Sequence, residues 1–167
     1  MRHIIGILLQ NESGALSRVA GMFSSRGYNI ESLSVAATDD PTLSRITLVT
    51  TGSETVIHQI VTQLHKLIDV VAVDDMTSED HVERELALIK LKVRAGQKES
   101  VRALVERAGG RILSDGADCH IVELTSSESE INVLARSLAA QAELLEIVRS
   151  GALAMSRQER ILHVVES

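Results

Sequence analysis

The chain has 167 residues, 44% of them hydrophobic, and carries a formal net charge of −6 at pH 7. This length allows one domain or two small ones, and the composition supports a buried core and argues against disorder. A nucleic-acid partner is not expected, because an acidic chain without a Lys/Arg cluster is poorly suited to phosphate contacts. Aromatic residues make up only 1% of the chain, too few for base stacking.

Three further features bear on the compartment. No apolar run approaches the roughly 18 residues of a membrane span. Residues 1–4 lead directly into a strand pattern, without the cleavage site of a signal peptide. Cys119 is the only cysteine, which is typical of a reducing compartment. We therefore expect a cytoplasmic protein that is not bound to a membrane.

The first 76 residues predict the element order βαββαβ. Apolar runs and alternating patterns indicate four strands, at residues 4–9, 28–37, 43–51 and 67–73. Apolar residues at helical spacing indicate one helix over residues 13–26, ended by Gly27, and a second that begins at residues 52–54. The next residues are acidic and without periodicity, and a linker is predicted at 77–83.

The same order repeats in the second half, for which a domain at 84–156 is predicted. The patterns indicate strands at 84–93, 111–113, 119–124 and 144–148, the last with a continuation toward Met155 as one interpretation. A helix is expected around 101–108, and a capping box of Ser127 and Glu130 opens another. Residues 157–167 form a tail, for which a short helix around Ile161 is one interpretation.

These patterns predict an α+β protein of two tandem ferredoxin-like βαββαβ domains. In this fold both helices cover one face of a four-stranded antiparallel sheet and leave the other face open. Because an open face or sheet edge has to be masked, we expect a homodimer.

The stretch of residues 11–19, between the first strand and the first helix, is the main candidate for a ligand site. Asn11 or Ser13 is placed to cap the helix, with Gly14 in its first turn. Unpaired N–H groups and the helix dipole favour an anion there, and Gly14 would allow a carboxylate to approach. The spacing alone nevertheless favours an ordinary capped helix start over a ligand site.

No set of residues has the pattern of an active site. Cys119 and His120 point to opposite faces of a strand, which favours a core cysteine over a nucleophile–base pair. His58 and His65 share one side of a helix, but without a third ligand nearby solvated histidines are favoured over a metal pair. The acidic run at 74–80 lacks the spacing of an EF-hand, which favours a solvated linker.

Two motifs strongly resemble a known family. Residues 11–19 read Asn-Glu-Ser-Gly-Ala-Leu-Ser-Arg-Val and residues 26–33 read Arg-Gly-Tyr-Asn-Ile-Glu-Ser-Leu. Both are similar to the N-terminal ACT domain in the regulatory (small) subunits of acetolactate synthase, also called acetohydroxyacid synthase. The resemblance is most specific over residues 3–75 and patchier over 96–143, where the family's usual Thr-Gly appears as Thr125-Ser126. Further similar segments are 38–45, 63–67, 146–152 and Arg157.

The resemblance implies a regulatory subunit without chemistry of its own. Such subunits bind the thiamine-diphosphate-dependent catalytic subunit of acetolactate synthase, raise its activity and confer feedback inhibition by branched-chain amino acids, typically valine. No cofactor is then expected in this chain, because thiamine diphosphate, Mg²⁺ and FAD belong to the catalytic subunit.

The resemblance also implies a place for the effector. ACT domains pair side by side as homodimers, and the effector lies between the helix-start loop of one protomer and the second-strand region of the other. The effector-binding residues implied for this chain are Asn11, Gly14, Ala15, Leu16, Asn29 and Ile30. N–H groups near Gly14 and Ala15 would bind the carboxylate, Asn11 and the partner's Asn29 the polar groups, and Ile30 the aliphatic side chain.

Two other classes of protein stay open on the sequence. A free-standing ACT-type module that binds an amino acid for another partner would share the same motifs. A ferredoxin-like metal chaperone or small enzyme is disfavoured, because the chain has no CxxC motif or ligand cluster.

Overall fold

The computed structural model describes residues 1–159 and residue 162. The chain divides into two compact units: unit 1 comprises Met1–Val82 and the described residues from Ala152 onward, and unit 2 comprises Glu83–Gly151. The predicted tail at 157–167 lies largely outside the described residues, and so does the helix interpretation around Ile161.

Unit 1 has the predicted βαββαβ order. Its strands and helices are β1 (Arg2–Gln10), α1 (Ala15–Ser25), β2 (Ser32–Ala37), β3 (Leu43–Thr51), α2 (Glu54–Leu64) and β4 (Val70–Asp75). The sheet has the order β2-β3-β1-β4, and all its pairings are antiparallel. This is the ferredoxin-like topology, so the fold prediction for this half is confirmed.

The strand β2 starts four residues later than predicted. Gly27, at φ 68°, turns the chain after α1, and the N–H of Tyr28 donates to the carbonyl of Phe23 (3.0 Å). Tyr28 and Ile30 then pack against the core as irregular chain before β2 begins at Ser32. The apolar character of these residues reflects burial and not strand pairing.

The central strand β1 is buried on both faces from His3 to Leu9. Ile5 and Ile7 face α1 and α2 and belong to the main core. Ile4 instead packs on the opposite face, in a smaller cluster with Val49 and Met76. Burial on both faces explains why the sequence of β1 is a continuous apolar run without polar alternation.

The face opposite the helices is partly covered by the chain itself, so the expectation of an open face is wrong for that region. Ala152 and Ala154 complete the smaller cluster, and β9 (Leu153–Ser156) contains the second of them. The N–H of Ala152 donates to Ser32 Oγ (3.0 Å), and Arg45 Nη2 donates to the carbonyl of Ala154 (3.1 Å). Whereas the predicted second domain runs over 84–156, residues 152–156 therefore pack within unit 1.

Unit 2 repeats the topology. Its elements are β5 (His81–Lys92, which begins in unit 1), α3 (Lys98–Arg107), β6 (Arg111–Asp115), β7 (Cys119–Ser126), α4 (Glu128–Gln141) and β8 (Glu143–Arg149). The strands have the order β6-β7-β5-β8, which matches the order in unit 1. The predicted capping box is confirmed, since the Ser127 side chain accepts from the Glu130 N–H and the Glu130 side chain from the Ser127 N–H.

Candidate functional site

The start of α1 has no side-chain cap among the described residues. Gly14 is the N-cap residue, with φ 85° and ψ −8°, and α1 begins at Ala15. The prediction that Asn11 or Ser13 caps the helix is therefore wrong. Because glycine has no side chain that could accept a hydrogen bond, the N–H groups of Leu16 and Ser17 have no side-chain partner among the described residues, and they lie at the positive end of the helix dipole.

Asn11 instead forms two hydrogen bonds that join the loop before α1 to the turn between β2 and β3. Its backbone N–H donates to the carbonyl of Thr42 (2.7 Å), and its Nδ2 donates to the carbonyl of Pro41 (3.0 Å). These bonds hold the loop before Gly14 at one end of the sheet.

An ion pair between the exposed Arg18 and the buried Asp69 lies beside the same loop. Arg18 Nε binds Asp69 Oδ2, and Arg18 Nη2 donates to Asp69 Oδ1 (2.8 Å). The hydrogen bonds from Arg18 lower the pKa of Asp69, and the same contact raises the pKa of Arg18. The carbonyl of Asp69 also accepts the N–H of Gln10 (2.8 Å), so Asp69 joins the end of β1 to α1.

The guanidinium of Arg18 lies over Gly14. A Cβ built on Gly14 would stand 3.0 Å from Arg18 Nη1, the nitrogen that Asp69 does not engage. A fixed positive charge and the free N–H groups of α1 therefore converge on one small surface beside Gly14, which is suited to a carboxylate. Sequence reasoning missed this role of Arg18, whose only signal is its position one helical turn after Gly14.

The other residues of the loop differ in what they present. Ala15 is buried with its methyl group in the core, and its N–H donates to the carbonyl of Glu12 (3.2 Å). Leu16 is 39% exposed. Of the two N–H groups implied for the carboxylate, that of Ala15 is therefore engaged, whereas the described residues offer no acceptor to that of Gly14.

Asn29 and Ile30 lie at the opposite end of the sheet from Gly14. In the β2–β3 register Ala37 pairs with Ser44, near the loop, whereas Ser32 pairs with Val49. Five residues of extended chain separate these ends by roughly 17 Å. Asn29 is exposed, and its backbone carbonyl accepts a hydrogen bond from Thr50 Oγ1 (2.6 Å). Ile30 packs against the core of its own unit.

Among the described residues, the geometry supports neither a cysteine–histidine active site nor a metal site. Cys119 is half-buried and its neighbour His120 is buried, so the prediction of a core cysteine is wrong. Among the described residues no three His, Cys, Asp or Glu side chains are grouped so that they could hold a metal ion. Nor is any helix within that part of the chain long and apolar enough to cross a membrane.

Both halves of the chain match family models. Residues 5–72 match the AHAS small subunit-like ACT domain, and residues 84–158 match the small subunit of acetolactate synthase. The isozyme 3 small subunit of acetolactate synthase from Salmonella typhimurium is 46% identical over 162 residues, which are 97% of this chain and 99% of the relative. The chain belongs to the acetolactate synthase small-subunit family.

Two further members of the family extend this result. The isozyme 3 small subunit from Escherichia coli is 44% identical and matches 97% of this chain and 99% of its own length. The crystal structure of the acetolactate synthase small subunit from Thermotoga maritima covers 96% of this chain and 99% of its own, with a TM-score of 0.87 at 33% identity. The small-subunit fold therefore extends over both units, and unit 1 with its Gly14 loop is the ACT domain.

Proposed function

We propose that this chain is the regulatory subunit of a cytoplasmic acetolactate synthase, which activates the catalytic subunit and makes it sensitive to valine. Its near full-length similarity to acetolactate synthase small subunits supports the partner. The observation that carries the effector site is the Arg18 guanidinium beside the uncapped helix start at Gly14. Thiamine diphosphate, Mg²⁺ and FAD then belong to the catalytic subunit, and this chain supplies regulation alone.

The α-carboxylate of the effector binds at the start of α1. It accepts hydrogen bonds from the N–H groups of Leu16 and Ser17 and from Arg18 Nη1, which Asp69 holds in place. Charge-assisted bonds of this kind contribute about 1.5–3 kcal/mol each. Sensing a pool of roughly 0.1–1 mM needs about 4–5.5 kcal/mol, and a few such bonds with a buried isopropyl group, at about 0.8 kcal/mol per CH₂, exceed this value before association costs are subtracted.

The second half of the site comes from another protomer. Asn29 cannot reach the Gly14 loop of its own chain, because the two lie at opposite ends of the sheet. Among the described residues β2 pairs only with β3, and its other edge carries exposed residues such as Val35 and Ala36. If two β2 edges pair antiparallel about a two-fold axis, the Asn29 end of one strand meets the Gly14 end of the other.

The small binding free energy of a single methylene group limits how well the site can distinguish one branched-chain amino acid from another. Valine and isoleucine differ by one methylene group, worth about 0.8 kcal/mol or roughly fourfold in affinity. This difference is too small to select one effector, so valine is named on the family resemblance and isoleucine is expected to bind the same site with an affinity within roughly fourfold of that of valine.

Replacement of Asn29 by histidine tests this proposal. In a holoenzyme reconstituted with a purified acetolactate synthase catalytic subunit, Asn29→His should activate normally but need roughly tenfold more valine for half-inhibition, as expected for the loss of one hydrogen bond at about 1–1.5 kcal/mol. Gln141→His, an exposed amide position in unit 2, is the matched control. Unchanged valine inhibition by Asn29→His would remove that residue from the site.

The reconstitution also separates the two functional classes. A chain that raises turnover and responds to valine is a regulatory subunit of this enzyme. A chain that binds valine in calorimetry but leaves the catalytic subunit unaffected would instead be a free-standing amino-acid-binding module for another partner.

A further inference from the structure

The helix pairs of the two units can be compared position by position, because they share two landmarks. Gly27 and Gly109 follow the first helix of each unit, with φ 68° and 74°. The next residue is Tyr28 in unit 1 and Gly110 in unit 2. The second helices, α2 and α4, both begin after an N-cap serine whose side chain accepts the N–H three residues further on. Each residue of one helix pair therefore has a counterpart in the other.

In unit 1, long side chains close the space between the two helices. The ring of Tyr28 lies edge-on to that of Phe23, with 6.1 Å between the ring centroids, and its hydroxyl donates to Gln59 Oε1 of α2 (3.3 Å). Arg26 Nη2 donates to Gln63 Oε1 of the same helix (2.7 Å). An aromatic ring and a guanidinium group therefore join the end of α1 to α2.

Residues 83–151 of unit 2 form neither of these bridges, and a groove of ≈ 450 Å³ lies between α3 and α4 instead. Gly110 takes the position of Tyr28. A larger residue would not fit there, because its Cβ would stand 2.9 Å from the carbonyl oxygen of Glu123. Ala108, which lines the groove, takes the position of Arg26. The sequence of unit 2 therefore leaves open the space that unit 1 fills.

The groove is apolar, with an uncompensated positive charge at its rim. Leu104, Ala108 and Val133 contribute apolar surface, and Val133 is 55% exposed. Arg107 also lines the groove and forms no ion pair within the described part of the chain. The carboxylate of Glu130 lies there too, but it accepts hydrogen bonds within the capping box of α4. The groove therefore suits a large apolar group that has a negative charge beside it.

The side chain that fills this groove has to come from another protein. Unit 1 shows that an aromatic ring fits between two such helices. Phe23 and Tyr28 are the only Phe, Tyr or Trp residues of the chain, and both pack in the core of unit 1, so a second copy has no ring to offer. Aromatic side chains inserted into pockets are the residues that most often dominate the affinity of protein interfaces.

We propose that the groove between α3 and α4 receives an aromatic side chain of the catalytic subunit, and that an acidic residue beside this ring binds Arg107. The inference rests on the proposed function, which makes the catalytic subunit the partner, and it adds a docking point in unit 2. This anchor belongs to a larger interface, since stable complexes bury about 800 Å² on each partner.

Titration of a purified acetolactate synthase catalytic subunit with variants of the full-length chain tests the proposal. Val133→Lys places a charge in the groove and should raise the concentration for half-maximal activation about 30-fold, as for a central interface residue. Arg107→Glu should raise it about tenfold through the lost charge pair. Ala139→Lys and Arg102→Glu make the same charge changes at exposed positions of α4 and α3 outside the groove, and should stay within about twofold of the wild type.

The outcomes separate this inference from the proposed function. A wild-type chain that does not raise the turnover of the catalytic subunit would remove both. If the wild type activates and Val133→Lys does so at the same concentration, the groove is not a docking point and only this inference falls. Unchanged valine affinity in calorimetry and unchanged amide hydrogen exchange in α4 show that Val133→Lys is folded.

Cross-linking tests the chemistry of the partner without a charge in the groove. A photoreactive benzoylphenylalanine at Ser129, an exposed residue of the groove, should cross-link to a segment of the catalytic subunit that contains an aromatic residue. Replacing that residue with alanine should weaken activation by the wild-type chain but not weaken activation by Val133→Lys any further. Additive losses, or a cross-link to a second copy of this chain or to a segment without an aromatic residue, would overturn the proposal.

Discussion

Replacing Gly14 with aspartate is expected to abolish valine inhibition while activation of the catalytic subunit is retained. The new Cβ would stand 3.0 Å from Arg18 Nη1, so its carboxylate would pair with Arg18 and occupy the effector's carboxylate position. Loss of this anchor costs about 2–3 kcal/mol, or roughly 30- to 150-fold in valine affinity by calorimetry. Wild-type affinity in Gly14→Asp would place the site elsewhere.

Two controls separate charge from strain in this experiment. Gly14 has φ 85°, a conformation that costs a side chain about 1–2 kcal/mol but that Asp and Asn adopt more readily than other residues. Gly14→Asn has the same shape without the charge and should weaken valine binding less. Gly109→Asp introduces the same strain at φ 74° in unit 2, with open space around its Cβ, and should leave inhibition intact. Equal losses in Gly14→Asp and Gly109→Asp would identify strain as the cause.

Replacing Arg149 with methionine is expected to destabilise unit 2 strongly. Arg149 Nε and Nη2 bind the two carboxylate oxygens of Glu85 at 2.9 and 2.6 Å, and Nη1 donates to Asn132 Oδ1 (2.9 Å). These contacts join β8 to β5 and α4 and raise the pKa of Arg149. The Glu85 side chain is 6% exposed, so its charge would be buried without a partner at a cost of about 3 kcal/mol or more.

Hydrogen exchange of individual amides measures this effect within unit 2. A loss of about 3 kcal/mol should accelerate the slowest amides of β5 and β8 by roughly 100-fold. Arg111→Met is the matched control, because Arg111 pairs with Glu123 on the surface of the same sheet and should cost less than about 1 kcal/mol. Similar exchange rates in the two variants would show that the Arg149 network contributes no more to the stability of unit 2 than a surface ion pair does.

The predicted elements that the structure confirms are those with local signals. The bounds of β3 match residues 43–51, since turn residues stand on both sides of an alternating strand. The capping box of Ser127 and Glu130 needs only contacts three residues apart. Such features depend on neighbouring residues alone and are therefore accessible from the sequence.

The structural features that the sequence did not predict depend on contacts between distant parts of the chain. Gly14 became the N-cap because Asn11 is held by Pro41 and Thr42, thirty residues further along. Asp69 lies within an apolar stretch and binds Arg18 from 51 positions away, so no local pattern marks it. Residues 152–156 resemble a continuation of β8, and nothing in their own sequence shows that they cover the sheet of unit 1.

The central claim is that each effector site is built from two protomers, and a heterodimer tests it most directly. Gly14→Asp chains and Asn29→His chains carrying different affinity tags can be co-expressed and the mixed dimer isolated. In that dimer one site has both defects, while the other combines an intact Gly14 loop with an intact Asn29. We predict valine binding at wild-type affinity to about half the wild-type number of sites, although neither homodimer binds normally. If the mixed dimer binds valine no better than the two homodimers, each site lies within a single chain and the account is wrong.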